Sequence, residues 1–131
     1  MPIKNQAPKQ SSKKHYENIS FETLATSWLL NDGWEVYEPK IDHGMKTDLL
    51  IADGQKYYRI QIKTLESNNE DVVVQNMWGD ANIDFVIYFS KHDNWGYLAK
   101  PFPQRSKPLK SEDHIRFHKH PKPFAKAFEA I

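Results

Sequence analysis

The chain has 131 residues, 39% apolar and 27% charged, enough for one domain around a single core. It has no cysteine, which excludes disulfides, thiol catalysis and cysteine-bound zinc. Mean hydropathy is -0.76, no apolar run is long enough to span a bilayer and the N-terminus lacks a secretory pattern, so a cytoplasmic protein without a membrane partner is expected.

The net charge of +1 hides a division: +4 over residues 1–15, -7 over 16–100 and +4 over 101–131. An acidic middle between basic ends fits a metal centre flanked by arms for a polyanion, and fits scattered charge on a solvated surface as well. Residues 1–15 read as a flexible basic segment, and 16–131 as one domain with a basic C-terminal extension over 101–131. A helix capped by Asn18 or Ser20 should follow the lead-in, because Phe21, Leu24, Ala25, Trp28 and Leu29 recur at helical spacing. Gly33 suits the left-handed position that ends it. "WEVYEP" predicts a first strand and "IDHGMK" a loop.

"TDLLIA" and "YYRIQIKT" predict a central hairpin turned at Asp53-Gly54. "DVVVQNMW" predicts a fourth strand, "IDFVIYFS" a central one and "NWGYLAKP" its neighbour. Residues 101–111 read as a proline-rich loop, "DHIRFHKH" as a last strand and "KPFAKAFEAI" as a terminal helix. Trp28 and Trp34 belong to the core, and Trp78 to the core or an interface. The fold class is α+β, a leading helix packed on a mixed sheet.

Side chains alternate along a strand, so Arg59, Gln61 and Lys63 share one face. A four-residue loop over 53–56 sets Asp48 opposite Gln61, whereas a two-residue loop sets Asp48 opposite Arg59. In the first register Asp48 and Gln61 can share one hard ion, Mg²⁺ with Mn²⁺ as the alternative, and the Ile62 carbonyl can add a ligand. Lys63 can then orient a metal-acidified water or stabilise the phosphoryl group. The same residues also fit a half-exposed antiparallel sheet, with Asp48 capping a turn and Gln61 and Lys63 facing solvent.

Asp48 followed by Gln61-Ile62-Lys63 resembles the signature of the PD-(D/E)XK nuclease superfamily, with Thr47 where proline is usual and Gln61 in place of the second acid. The resemblance implies a restriction-endonuclease-like core. It also gives Glu22, in the helix that leads into "NDGWEV", a share in the metal site, so that Glu22, Asp48, Gln61 and Lys63 are the implied catalytic set. Glu22 to Lys63 is similar in order and spacing to archaeal Holliday-junction resolvases. Those place a helix after the lysine strand, whereas the strands expected here are more similar to group I intron homing endonucleases of the superfamily. The implied activity is a Mg²⁺-dependent, homing-type DNA endonuclease. Its alternatives are a structure-specific resolvase and a nucleic-acid-binding module with a dead site.

Double-stranded DNA is the expected partner. Lys13, Lys14, Lys46 and Arg59 near the hairpin, and Arg105, Lys107, Arg116, His118 and Lys119 near the C-terminus, are candidate DNA contacts, with Gln75 and Asn76 suited to adenine edges. If "HIRFHKH" is a strand, Arg116 shares a face with His114, His118 and His120, which also admits a three-histidine metal site or a solvated edge strand. Cutting two strands requires two sites, so a homodimer or homotetramer is expected, with the apolar runs around residues 72–89 as its interface or as internal packing.

Overall fold

A computed structural model describes residues 1–41 and 44–131. Helix α1 spans Gln10–Asn31 and buries Ala25, Trp28 and Leu29, with Phe21 and Leu24 packed beside them. It starts well before the expected cap, so residues 10–15 are helical. Neither candidate cap acts as one. Ser20 Oγ donates back to the Glu17 carbonyl and Asn18 Oδ1 accepts from Thr64 Oγ1. The far end follows the sequence. Gly33 has φ +93°, its N–H donates to the Leu30 carbonyl, and Trp34 N–H donates to that of Leu29. That is the Schellman ending, which a residue without Cβ adopts freely.

Strands β1 (Glu35–Tyr37), β2 (Leu49–Ala52) and β3 (Tyr57–Leu65) form an antiparallel meander. Asp53 closes the β2–β3 turn, its Oδ1 accepting from Gln55 N–H and Lys56 N–H, both at 2.9 Å. This is the four-residue loop, with Ala52 opposite Tyr57 and Leu49 opposite Ile60. The expected loop over 41–46 falls partly on residues 42 and 43, outside the described residues.

Strand β4 (Val73–Gln75) departs from expectation. It is three residues long and stands outside the main sheet, because Asn76 stops it: Asn76 Oδ1 accepts from Trp78 N–H and Gly79 N–H and turns the chain. β5 (Phe85–Ser90) then pairs with β3 in parallel, Gln61 beside Val86, and β6 (Trp95–Ala99) pairs antiparallel with β5. β7 (Ser106–Pro108) lies in the segment read as loop and pairs with β4. β8 (Ile115–His118) pairs with β6 at the edge of the main sheet, ordered β1-β2-β3-β5-β6-β8.

Helix α2 (Pro121–Ala130) begins with a proline whose missing N–H costs nothing in the first turn. It buries Phe124 and Ala127, so the C-terminal residues are part of the domain's packing. Both helices cover one sheet face, on Ile51, Ile60, Ile62, Ile87, Phe89, Leu98 and Phe117. The other face carries Val86, Tyr88, Trp95, Tyr97 and Ala99 under Val74, Trp78, Phe102 and Leu109. The fold is thus α+β, a leading helix on a mixed six-stranded sheet plus a two-stranded one.

Ile83 and Val86–Phe89 are buried within this packing, which leaves Val73 and Met77 as the large exposed apolar side chains of residues 72–89. Among the described residues no helix is long and apolar enough to cross a membrane.

Gly96 lies under the Phe117 ring, and a Cβ there would also stand 2.7 Å from the Tyr88 carbonyl oxygen. Gly96→Ala should therefore lower stability by about 1–3 kcal/mol through overpacking against backbone. Urea unfolding checks this, and an unchanged midpoint would show that the β5–β6–β8 layer yields freely.

Candidate functional site

The β2–β3 ladder ends at Asp48. Its backbone N–H still donates to the Ile60 carbonyl, at 2.9 Å, and its side chain takes the next position: Oδ2 accepts from Ile62 N–H at 2.7 Å. Beyond this point β3 continues without β2 beside it. A strand residue directs its N–H and C=O to the same edge, so the Ile62 carbonyl faces that opening too. The regular pairing ends at Leu49 opposite Ile60, one residue short of Asp48 and Gln61.

A cleft of about 570 Å³ occupies the opening. Its floor is Asp48, Gln61, Ile62 and Lys63, one wall is the α1 face of Glu22, Ile19, Asn18, His15 and Lys14, and the other rim is Gly44 and Lys46. Glu22, Asp48, Gln61 and Lys63 thus border a single cleft. Asn18 Oδ1 accepts from Thr64 Oγ1 at 3.0 Å, tying the helix wall to β3 one residue past Lys63.

Two carboxyl groups meet here. Burial, then the charge and hydrogen bond of Asp48, then the charge of Glu38, raise the Glu22 pKa to about 7. Gln61 is 3% exposed and its Oε1 has no hydrogen-bond partner. A buried amide oxygen without a donor is costly unless something else supplies positive charge. Two carboxylates, that oxygen and the Ile62 carbonyl form an all-oxygen donor set suited to a hard divalent ion. Lys46 adds a backbone feature at the rim, with φ +60° in a non-glycine residue.

Other expected contacts lie elsewhere, many already engaged. Lys13 is an exposed residue of α1 outside the cleft lining. Arg59 lines a neighbouring groove with Tyr37 and Leu50, and its Nη1 donates to Thr47 Oγ1. Arg116 pairs with Glu70 at 2.7 Å and Lys107 with Asp113 at 2.6 Å. Lys119 Nζ donates to the Ser90 carbonyl and lies 5.2 Å from the Phe21 ring centre, where burial lowers its pKa. Asn76 spends its amide on turn N–H groups and, through Nδ2, on the Phe102 carbonyl, so it is not presented to a base. Gln75, Arg105 and His118 are exposed, away from the cleft.

The three-histidine alternative finds no support. His114 is buried with Nδ1 2.9 Å from the Leu109 carbonyl oxygen, and among the described residues no group of three or more His, Cys, Asp or Glu side chains is placed to hold an ion. The cleft also holds residues the sequence reading passed over: His15, Asn18 and Thr64. Helical spacing back from Glu22 is the signal for the first two, once α1 is known to begin at Gln10.

No family model and no curated protein matches the chain. The fold has a solved counterpart. It is similar to that of a bacterial homing endonuclease, I-Ssp6803I, with a TM-score of 0.53 over 79% of this chain and 74% of that one. Identity is 17%, so the likeness to the homing endonuclease is one of fold.

The raised Glu22 pKa sets a pH dependence. A carboxyl whose folded pKa lies above its unfolded value binds more protons in the folded state. That contribution is complete below about 4.5 and is lost as pH rises through about 7. In EDTA the protein should lose stability across this window, and Glu22→Gln should flatten the profile and gain about 1–2 kcal/mol at the alkaline end, after allowance for solvent screening. Urea midpoints across the window check this; parallel profiles for parent and variant would contradict it.

Proposed function

We propose that this protein is a metal-dependent DNA endonuclease of the PD-(D/E)XK type that hydrolyses phosphodiester bonds at specific sites, in the manner of a homing endonuclease. One observation carries the reading: Glu22, Asp48, the partnerless Gln61 oxygen and Lys63 border one cleft at the fork where β2 leaves β3. The likeness in fold to a homing endonuclease supports it. The absence of a helix between β3 and β6 favours that class over resolvases, which place one after the lysine strand.

Asp48, Gln61 and the Ile62 carbonyl would hold Mg²⁺ or Mn²⁺, with Glu22 completing the set. Such an ion supplies an acidified water and positive charge at the phosphoryl group. The chain's own residues do the rest. Asp48 keeps its carboxylate fixed through the Ile62 N–H bond. Glu22 yields its proton near pH 7 and then faces the cleft as an anion. Gln61 contributes an oxygen without the charge of a second acid, which keeps the floor less repulsive to phosphate. Lys63, on the same strand face as Gln61, directs an ammonium group at the charge that develops on phosphorus. Lys14 and Lys46 attract the DNA backbone from opposite sides of the cleft. Cutting both strands of a duplex takes two such clefts, so the working form is a homodimer or homotetramer.

Digestion of linear plasmid and of a four-way junction, each in Mg²⁺ and in EDTA, tests the proposal. Discrete fragments from the linear DNA in Mg²⁺ alone are expected, with Lys63→Ala reducing the rate by about 10²–10³-fold at unchanged thermal stability. Nicking confined to the junction would instead assign a resolvase, binding without cutting a dead site, and a Lys63→Ala variant as fast as the parent would remove that residue from the chemistry.

A further inference from the structure

The first two turns of α1 present a problem of stability. From Gln10 to Tyr16 every residue is exposed except the partly covered Ser12, so this stretch buries almost no apolar surface. Helices gain most of their stability from an apolar face, and a solvated extension gains little. This one also lacks a side-chain N-cap and has no acid in its first turn.

It is nevertheless pinned to the rest of the domain just past its exposed part. Glu17 pairs with Lys91 at 2.7 Å, and Lys91 pairs with Glu66, at the end of β3, at 2.9 Å. The next residue, Asn18, is bonded to Thr64. Two anchors at adjacent positions fix how the helix turns about its own axis. The face they turn toward the cleft carries His15 and Lys14. His15, Asn18 and Glu22 are three and four residues apart, and so stack along one helix face.

We propose that this anchored extension is a phosphate-holding wall, in which Lys14 and His15 grip the DNA backbone phosphate next to the one that is cleaved. The inference rests on the nuclease reading and adds to it the residues that fix the register of the strand in the cleft. Seven residues separate His15 from Glu22, about 10 Å along a helix. A DNA strand advances about 3.4 Å per nucleotide along its axis, so a wall of that length reaches past the reacting phosphate to a neighbouring one. The cleft's composition agrees. Glu22 on the helix wall and Asp48 on the floor are acidic, Lys14 and His15 lie further along the wall, and Glu66, the other acid of the lining, is held by Lys91. A strand drawn over carboxylates needs such compensation at an adjacent phosphate.

The test uses the full chain, with linear plasmid as substrate in Mg²⁺. The salt dependence of kcat/KM is measured for the parent, for Lys14→Ala/His15→Ala and for the charge-keeping pair Lys14→Arg/His15→Gln. The alanine pair should lower kcat/KM and flatten the slope of its logarithm against log salt by about one unit, the signature of a lost phosphate contact. The charge-keeping pair should restore the slope. Both residues are exposed, so neither variant should change the urea midpoint or the calorimetric affinity for Mn²⁺. If the parent cuts and the alanine pair keeps the parental slope, this inference fails and the nuclease reading stands. If the parent does not cut at all, both fail together. A slope lost along with Mn²⁺ binding or stability would assign the two residues a structural role and overturn the proposal.

Discussion

The cleft depends on a single hydrogen bond, that of Ile62 N–H to Asp48 Oδ2. Two antiparallel strands normally satisfy each other's backbone until both end. Here β2 ends first, and a carboxylate accepts the N–H that the next residue of β2 would have taken. A buried N–H left unpaired costs about 1–3 kcal/mol, so some acceptor is required at this point. A short acidic side chain meets that need, and the same carboxyl group meets Glu22 across the cleft. The fork, the exposed edge of β3 and the alignment of Gln61, Ile62 and Lys63 along it all follow from that termination. α1 then crosses the open end and brings Glu22 to the same place.

Electrostatics gives the cleft its character. Burial first, and the neighbouring Asp48 carboxyl second, disfavour the charged form of Glu22 and raise its pKa. Gln61 adds an oxygen dipole with no donor to meet it. Strain and unmet acceptors of this kind concentrate where function requires them. Elsewhere several charged groups are paired, and the other buried polar atoms without a partner among the described residues, on Tyr88, Trp95 and His114, belong to residues outside the cleft lining. Glu70 accepts from Arg116 and Tyr97, Glu66 and Glu17 hold Lys91, and Asp53 closes its turn. A buried acceptor without a donor, lining the same cleft as two carboxyl groups, is what a site for a cation requires.

Much of this was legible before any coordinates. The Asp53-Gly54 signal located the hairpin, and its four-residue loop set Ala52 opposite Tyr57. Gly33 marked the end of α1. What escaped the sequence had physical reasons. The start of α1 carries no apolar periodicity, because Gln10 to Tyr16 bury almost nothing, so the helix ran unseen into the basic segment. The valine run of β4 looked like a sheet strand, but strand propensity does not say which sheet, and Asn76 ended it early. β7 lay among prolines that are tolerated in so short a two-stranded ladder. The internal partners of Arg116, Lys107 and Lys119 were hidden, because charge is visible in a sequence and its partners are not. Each is engaged within the fold.

If the fork is a metal site, a divalent ion binds between Asp48, Gln61 and Ile62. Anomalous scattering from a crystal of the protein soaked in Mn²⁺ tests it most directly. A peak is expected at ligand distance from the Asp48 carboxylate, the Gln61 amide oxygen and the Ile62 carbonyl, and it should disappear in Asp48→Asn. An empty cleft under saturating Mn²⁺, or a peak whose ligands exclude Asp48, would contradict it.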